Sequence, residues 1–117
     1  MSIPILRQGH VLLAVVQAAV SDEELMEFQD ELLAKVSRFK SQGVLVDVTV
    51  LDVIDSFAAR TLRTIAHAVQ LCGARVIIAG IQPEVAFAMT QLGLTLEGII
   101  TVLDLDEGLA LLEESRG

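Results

Sequence analysis

The stretch Asp47-Val48-Thr49-Val50-Leu51-Asp52-Val53-Ile54-Asp55-Ser56-Phe57 places three carboxylates and two hydroxyls within a few residues of one another. Clustered carboxylates can hold a metal ion. Here they lack the glycine and the ligand spacing of a calcium loop. A hydroxyl at the first turn of a helix can accept a phosphoryl group. The phosphate would meet free backbone N–H groups and the positive end of the helix dipole. It would also add about −1.5 to −2 charges beside Asp52 and Asp55. Such a change alters a binding surface more than it alters the fold. A purely local reading competes with this one. In it Asp55 is an N-cap, Ser56 a first-turn residue, and Asp47 and Asp52 are solvated turn residues. The residues alone leave both readings open.

Other chemistry is sparse. There is no G-x-G-x-x-G and no G-K-[ST], so phosphate-cradling loops of those kinds are absent. His10, His67 and Cys72 are too few and too scattered for a zinc site. His67 and Cys72 fall five residues apart on one helix, a rotation of about 500°, and point to different sides. Cys72 falls on the apolar stripe of that helix and is expected as a buried structural thiol. Arg60 and Arg63 are read as a solvated face in preference to a partner-facing basic patch. Thr61 and Thr64 are read as structural. Phe57 is either an exposed apolar anchor or a half-buried helix residue.

The elements that position these residues follow from hydrophobic periodicity. Ile3–Leu6 and Val11–Val16 read as two strands joined by a tight turn at Arg7-Gln8-Gly9-His10. Ser21 stands three residues before Glu24, the capping-box pattern. Leu25, Phe28, Leu32, Val36 and Phe39 then mark one face of a helix. Acids fill its start, and Lys35, Arg38 and Lys40 its end, which suits the helix dipole. Gly43 is expected to end it. Gly43–Val48 reads as a strand buried on both faces, the parallel-sheet type. Ser56–Cys72 is a second helix with the stripe Ala58, Leu62, Ile65, Val69 and Cys72, stopped by Gly73. Arg75–Ala79 is another buried strand. Pro83 opens a short helix lined by Val85, Ala88, Met89 and Leu92. Ile99–Leu103 is the last strand, and Asp104 caps a helix through Glu114. The order β-β-α-β-α-β-α-β-α predicts an α/β fold.

Composition narrows the function classes. The 117 residues are 53% hydrophobic and 3% aromatic, with four Phe and neither Trp nor Tyr, so the core must be aliphatic. One domain over residues 1–117 is expected. Eight basic residues face sixteen acidic ones, for a net charge of −8, and no aromatic platform exists for bases. Nucleic acid is therefore not an expected partner. Mean hydropathy is +0.63. Yet the longest uncharged run, ending at Ser21, falls well short of the about 20 residues that span a bilayer. No membrane association, a cytoplasmic location and no cofactor are expected. The apolar excess suggests burial against other subunits. The charge is uneven. Ser56–Pro83 contains Arg60, Arg63 and Arg75 and no acid, and the boundary falls at Asp55-Ser56.

The stretch D-V-T-V-L-D-V-I-D-S-F resembles the phosphorylation loop of STAS domains, the anti-sigma-factor antagonist family. The likeness extends over nearly the whole chain, including Ile77–Leu94. Within the family the Asp55-Ser56-Phe57 turn is most similar to the RsbS type, the single-domain component of the stressosome. Ala59 stands where that pattern has glycine. The resemblance implies a STAS fold: a mixed, mostly parallel sheet of about five strands with about four helices. It implies a non-catalytic signalling scaffold that sequesters a switch-type serine kinase. Ser56 would accept phosphate from that kinase, and a serine phosphatase would reset it. Asp55 would cap the helix and orient the hydroxyl, and Asp47 and Thr49 would shape the loop. Asp52, Phe57 and Arg60 complete the implied loop and partner surface. Sensor-bearing STAS paralogues and self-association are the implied assembly; 117 residues leave no room for a sensor domain here. The alternative is a free anti-sigma-factor antagonist that binds an anti-sigma kinase directly.

Overall fold

The computed structural model describes residues 3–114; the ends of the expected 1–117 domain, residues 1–2 and 115–117, lie outside the described residues. The elements are β1 (Ile5–Gln8), β2 (Val11–Val15), α1 (Asp22–Phe39), β3 (Gly43–Asp47), α2 (Ser56–Leu71), β4 (Arg75–Ala79), α3 (Pro83–Gln91), β5 (Ile100–Val102) and α4 (Leu105–Glu114). The strands form one sheet in the order β1-β2-β3-β4-β5. β1 runs antiparallel to β2, and β2 to β5 are mutually parallel. The predicted α/β order and mixed sheet are what is observed.

The sheet is covered on both faces, which is why its central strands are continuously apolar. Val44 and Val46 face one side with Leu12, Ala14, Val76 and Ile78, beneath Leu25, Phe28, Leu32 and Val36 of α1 and Ile65, Ala66 and Val69 of α2. Leu45 faces the other side with Val11, Ile77, Ala79 and Val102, beneath Leu112 of α4. α4 comes so close that two glycines are required. A Cβ on Gly108 would stand 2.6 Å from Leu45 Cδ1, and one on Gly43 would stand 2.6 Å from Leu112 Cδ2.

That contact corrects the reading of Gly43, which opens β3 instead of closing α1. The helix ends at Phe39, and Lys40 takes the left-handed conformation with φ 50°. The first hairpin also shifts. Its turn is the two residues Gly9-His10, so Arg7 and Gln8 belong to β1. The capping box of α1 is present as predicted. Ser21 Oγ accepts the Glu24 N–H at 3.1 Å, and Glu24 accepts the Ser21 N–H at 3.0 Å. Phe39 is only half-buried and carries the Arg7 guanidinium 4.3 Å from its ring centre. Lys35 pairs with Glu31 at 3.2 Å.

Cys72 is the largest departure: it is exposed, not buried. α2 ends at Leu71, and Gly73, at φ 93°, turns the chain with its N–H on the Gln70 carbonyl. Cys72 therefore sits in the cap, beyond the part of the helix that lies on the sheet. On α2 itself Ile65 and Val69 are buried, Ala58 and Leu62 are half-buried, and Ala59, Thr61 and Ala66 complete the core side. On α3 Val85 and Met89 are buried, Ala88 is half-buried, and Leu92 is exposed. Among the described residues no helix is long and apolar enough to cross a membrane.

Two outcomes follow from this packing. Leu32→Ala empties a fully buried site between α1 and the sheet. It should cost about 2–5 kcal/mol in denaturant unfolding. Glu24 accepts hydrogen bonds from the backbone and then the side chain of Ser21, which hold its carboxyl below the ordinary value. That cap contribution is complete above the ordinary carboxylate pKa and is lost as pH falls through the lowered one. Glu24→Gln keeps the hydrogen bond and does not titrate, so thermal melts of the variant should lose less stability on acidification than wild type.

Candidate functional site

Parallel strands deliver their carboxyl ends to one edge of the sheet, where α/β proteins place their sites. The loops after β2, β3 and β4 gather there. Asp47, half-buried, is the last residue of β3. Its Oδ1 accepts the Thr49 N–H at 2.9 Å and the Thr49 hydroxyl at 2.5 Å. This closes a tight turn of the Asx type. Val48 N–H reaches the Ala79 carbonyl of β4 at 2.9 Å, and Leu51 N–H folds back to the Val48 carbonyl at 3.0 Å. The buried Val48 and Leu51 anchor the loop in the core.

The next loop clamps the outside. Gln82 Nε2 donates to the Thr49 carbonyl at 2.6 Å, across 33 positions of sequence. Gly80, at φ 80°, lies against Thr49 so closely that a Cβ there would run into the Thr49 side chain and stand 3.1 Å from its Cα. Gln82 and Gly80 are site residues that sequence reasoning does not single out. The turn Gly80-Ile81-Gln82-Pro83 is visible in the sequence, but its contact with Thr49 is not.

Beyond the clamp the chain runs outward. Val50, Asp52 and Val53 are exposed, Val53 to 75%, and Ile54 turns back toward the core. Asp55 is the N-cap of α2: its Oδ1 accepts the Ala58 N–H at 2.8 Å. Ser56 is the first helical residue and is half-buried. Among the described residues, none hydrogen-bonds the Ser56 hydroxyl, because the Asp55 carboxylate faces Ala58. Phe57 is exposed at 39%, and Arg60 is exposed one turn further on. Ala59 is fully buried against Val85, Met89 and Leu94, so its methyl is used in packing α3 to α2.

The structure thus brings Asp47 and Thr49 together in one turn, and Asp55, Ser56, Phe57 and Arg60 together at one helix end. Asp52, on the outer loop, and Asp55 both line an open groove of about 500 Å³ that also takes in Ala18, Val20, Leu51, Val53 and Ala58. Among the described residues no three His, Cys, Asp or Glu side chains are grouped to hold a metal. Arg63 is half-buried, Thr61 is buried and Thr64 is exposed.

The site makes two demands on its residues. Asp55→Ala should cost about 1 kcal/mol of stability through loss of the cap, read by denaturant unfolding. Gly80→Ala should cost about 1–3 kcal/mol because alanine must adopt a left-handed backbone against Thr49. It should also speed amide exchange across residues 48–55 where Asp55→Ala does not.

Relatives fit this architecture. A sequence model described as the STAS domain matches residues 2–107. The chain is 34% identical over 90 residues, 77% of its length, to the RsbT co-antagonist protein RsbRA of Bacillus subtilis, and that match spans 33% of RsbRA. It is 33% identical over 70 residues to RsbRC of the same organism, 60% of this chain and 25% of the relative. The chain thus spans about a third or less of these curated relatives. Among solved structures it superposes on RsbS of Moorella thermoacetica, in a serine-to-glutamate variant. The TM-score is 0.87 and the identity 31%, with 97% of each chain covered. A chain from the molecular architecture of the stressosome superposes with TM-score 0.85 and 32% identity, covering 97% of this chain and 98% of that one. The anti-sigma factor antagonist SpoIIAA shares the fold at TM-score 0.79 with 9% identity. With a family match over residues 2–107 on this sheet and helix order, the chain belongs to the STAS domain family, close to its RsbS type.

Proposed function

We propose that this chain is a non-catalytic scaffold of a stressosome-like signalling assembly, switched by phosphorylation of Ser56. The observation that carries the reading is the placement of Ser56. Its hydroxyl opens a sixteen-residue helix, with the loop before it fixed by Asp47, Thr49 and Gln82. A phosphate there gains from the helix dipole by about 0.3–1 kcal/mol, so the fold tolerates it. The same phosphate adds about −1.5 to −2 charges between Asp55 and the exposed Phe57. A partner packed on that turn would have to strip water from that charge beside an apolar ring.

In this reading the unphosphorylated domain binds and sequesters a switch-type serine kinase. Phosphorylation of Ser56 by that kinase releases it, and a serine phosphatase resets the surface. Asp52, Asp55, Phe57 and Arg60 form the partner face, while Asp47 and Thr49 hold the loop. The domain assembles with sensor-bearing STAS paralogues and with copies of itself. The likeness to an RsbT co-antagonist and to RsbS supports this. So does the existence of a solved RsbS variant in which glutamate replaces a serine. SpoIIAA, at 9% identity, shares only the fold and does not favour the free-antagonist alternative.

The test is incubation with the partner serine kinase, followed by mass spectrometry. A single phosphate on the peptide containing Ser56, absent from Ser56→Ala, is the expected result. Label elsewhere, or full labelling of Ser56→Ala, would sink the switch. Ser56→Asp should change stability by less than about 1 kcal/mol, yet weaken kinase binding at least about tenfold because the added charge loses water on docking beside Asp55 and Phe57, as read by calorimetric titration.

A further inference from the structure

α1 and α2 lie side by side on one face of the sheet. Both cross between neighbouring parallel strands, so they point the same way and start at the same sheet edge. Their buried stripes fix what each turns outward. On α1 the outward positions are Glu23, Glu27, Asp30 and Ala34, all exposed, at steps of four, three and four. On α2 they are Arg60, Thr64, His67 and Leu71, at the same steps. One stripe is acidic and ends in a small apolar residue. The other carries Arg60 and His67, with the half-buried Arg63 beside it, and ends in a leucine that is 89% exposed. Among the described residues no ion pair engages Glu23, Glu27, Asp30, Arg60 or Arg63.

We infer that a second copy of this chain docks on this face, with α1 of each copy laid along α2 of the other. A two-fold axis parallel to the helices and between them produces that arrangement. It makes both contacts at once, the closed, self-complementary kind. The register fits. Glu27 is the sixth residue of α1 and Arg60 the fifth of α2; Asp30 and Thr64 are each the ninth. Glu23 and Glu27 then flank Arg60 and Arg63, Asp30 meets Thr64 and His67, and Ala34 lies near Leu71. The receiving side is already concave. A groove of about 610 Å³ runs along α2 past Arg63 and His67, with Thr95 and Glu97 on its far wall. Glu97 is the one acid there, and it lies on the wall away from the helix.

Two helices of about 25 Å at a spacing of about 10 Å cover about 500 Å² per partner. Both sides together bury about 1,000 Å², the low end for a specific contact. A contact of that size is weak and reversible. The net charge of −8 on each copy opposes it at long range. At about 0.15 M salt the screening length is about 8 Å, which quenches that repulsion while leaving the facing charges in contact.

This surface deepens the self-association in the proposed function; it shares Arg60 with the face proposed for the kinase, while Glu23, Glu27 and Leu71 lie outside that face. Sedimentation of the whole chain at about 0.15 M salt tests it. Wild type should show a concentration-dependent dimer. Arg60→Glu with Arg63→Glu, and separately Glu23→Lys with Glu27→Lys, should each weaken it at least about tenfold. Mixing the two variants should restore a one-to-one dimer, because every facing pair is again opposite in sign. Leu71→Asp should weaken association without reversing a basic residue. Circular dichroism checks that each variant is folded. A wild type that stays monomeric up to about 1 mM overturns the inference. So does dimerisation unaffected by both reversals, or a mixture that stays apart. Dimerisation that survives the reversals would leave self-association standing and remove only this face. Phosphate on Ser56, read by mass spectrometry, is decided by neither result.

Discussion

Leu45 and Val44 stand back to back in the middle strand of the sheet, and neither reaches water. That double burial is the constraint from which the rest follows. A strand apolar on both sides must be covered on both sides. α1 and α2 supply one cover and α4 the other. The second cover is a single helix of ten residues, and it reaches the sheet only because Gly43 and Gly108 leave space for Leu112 and Leu45. Placing α1 and α2 on the same face also makes them parallel neighbours. Their opposite charge patterns then become features of one surface.

The same constraint builds the candidate site. Parallel strands end together, so the loop after β3 meets the loop after β4. There the Asp47-Thr49 turn is held by Gln82 and Gly80. The inner end of the loop is fixed, Leu51 is anchored in the core, and Val50, Asp52 and Val53 are left on the outside. Ser56 then lies between a fixed turn and a fixed helix. This division suits a modification that must change a surface without disturbing a core. The rigid part determines where the hydroxyl sits, and the exposed Val53 and Phe57 provide what a partner would touch.

Local features were readable in the sequence because they are made by residues a few positions apart. The Ser21–Glu24 box and the Asp55 cap each span three residues, and both occur as read. Strand β4 and the start of α3 at Pro83 were legible for the same reason. Helix ends were less legible. Gly43 looked like a stop signal, but its lack of a side chain serves Leu112, 69 positions away. Cys72 fits a helical stripe by periodicity, yet the helix has already ended, and periodicity carries no information about where a helix leaves its sheet.

By itself the sequence determined the class of fold, the order of its elements and the position of Ser56 at a capped helix start. These depend on hydrophobic period and on short-range hydrogen bonds, which act within a turn or two of chain. The tertiary structure alone decided which loops meet, which glycines are needed for close approach and which thiol is exposed. It alone placed the acidic stripe of α1 beside the arginine-bearing face of α2. Those outcomes depend on residues far apart in the chain being brought within a few ångströms, and only the closed packing of the sheet and its helices does that.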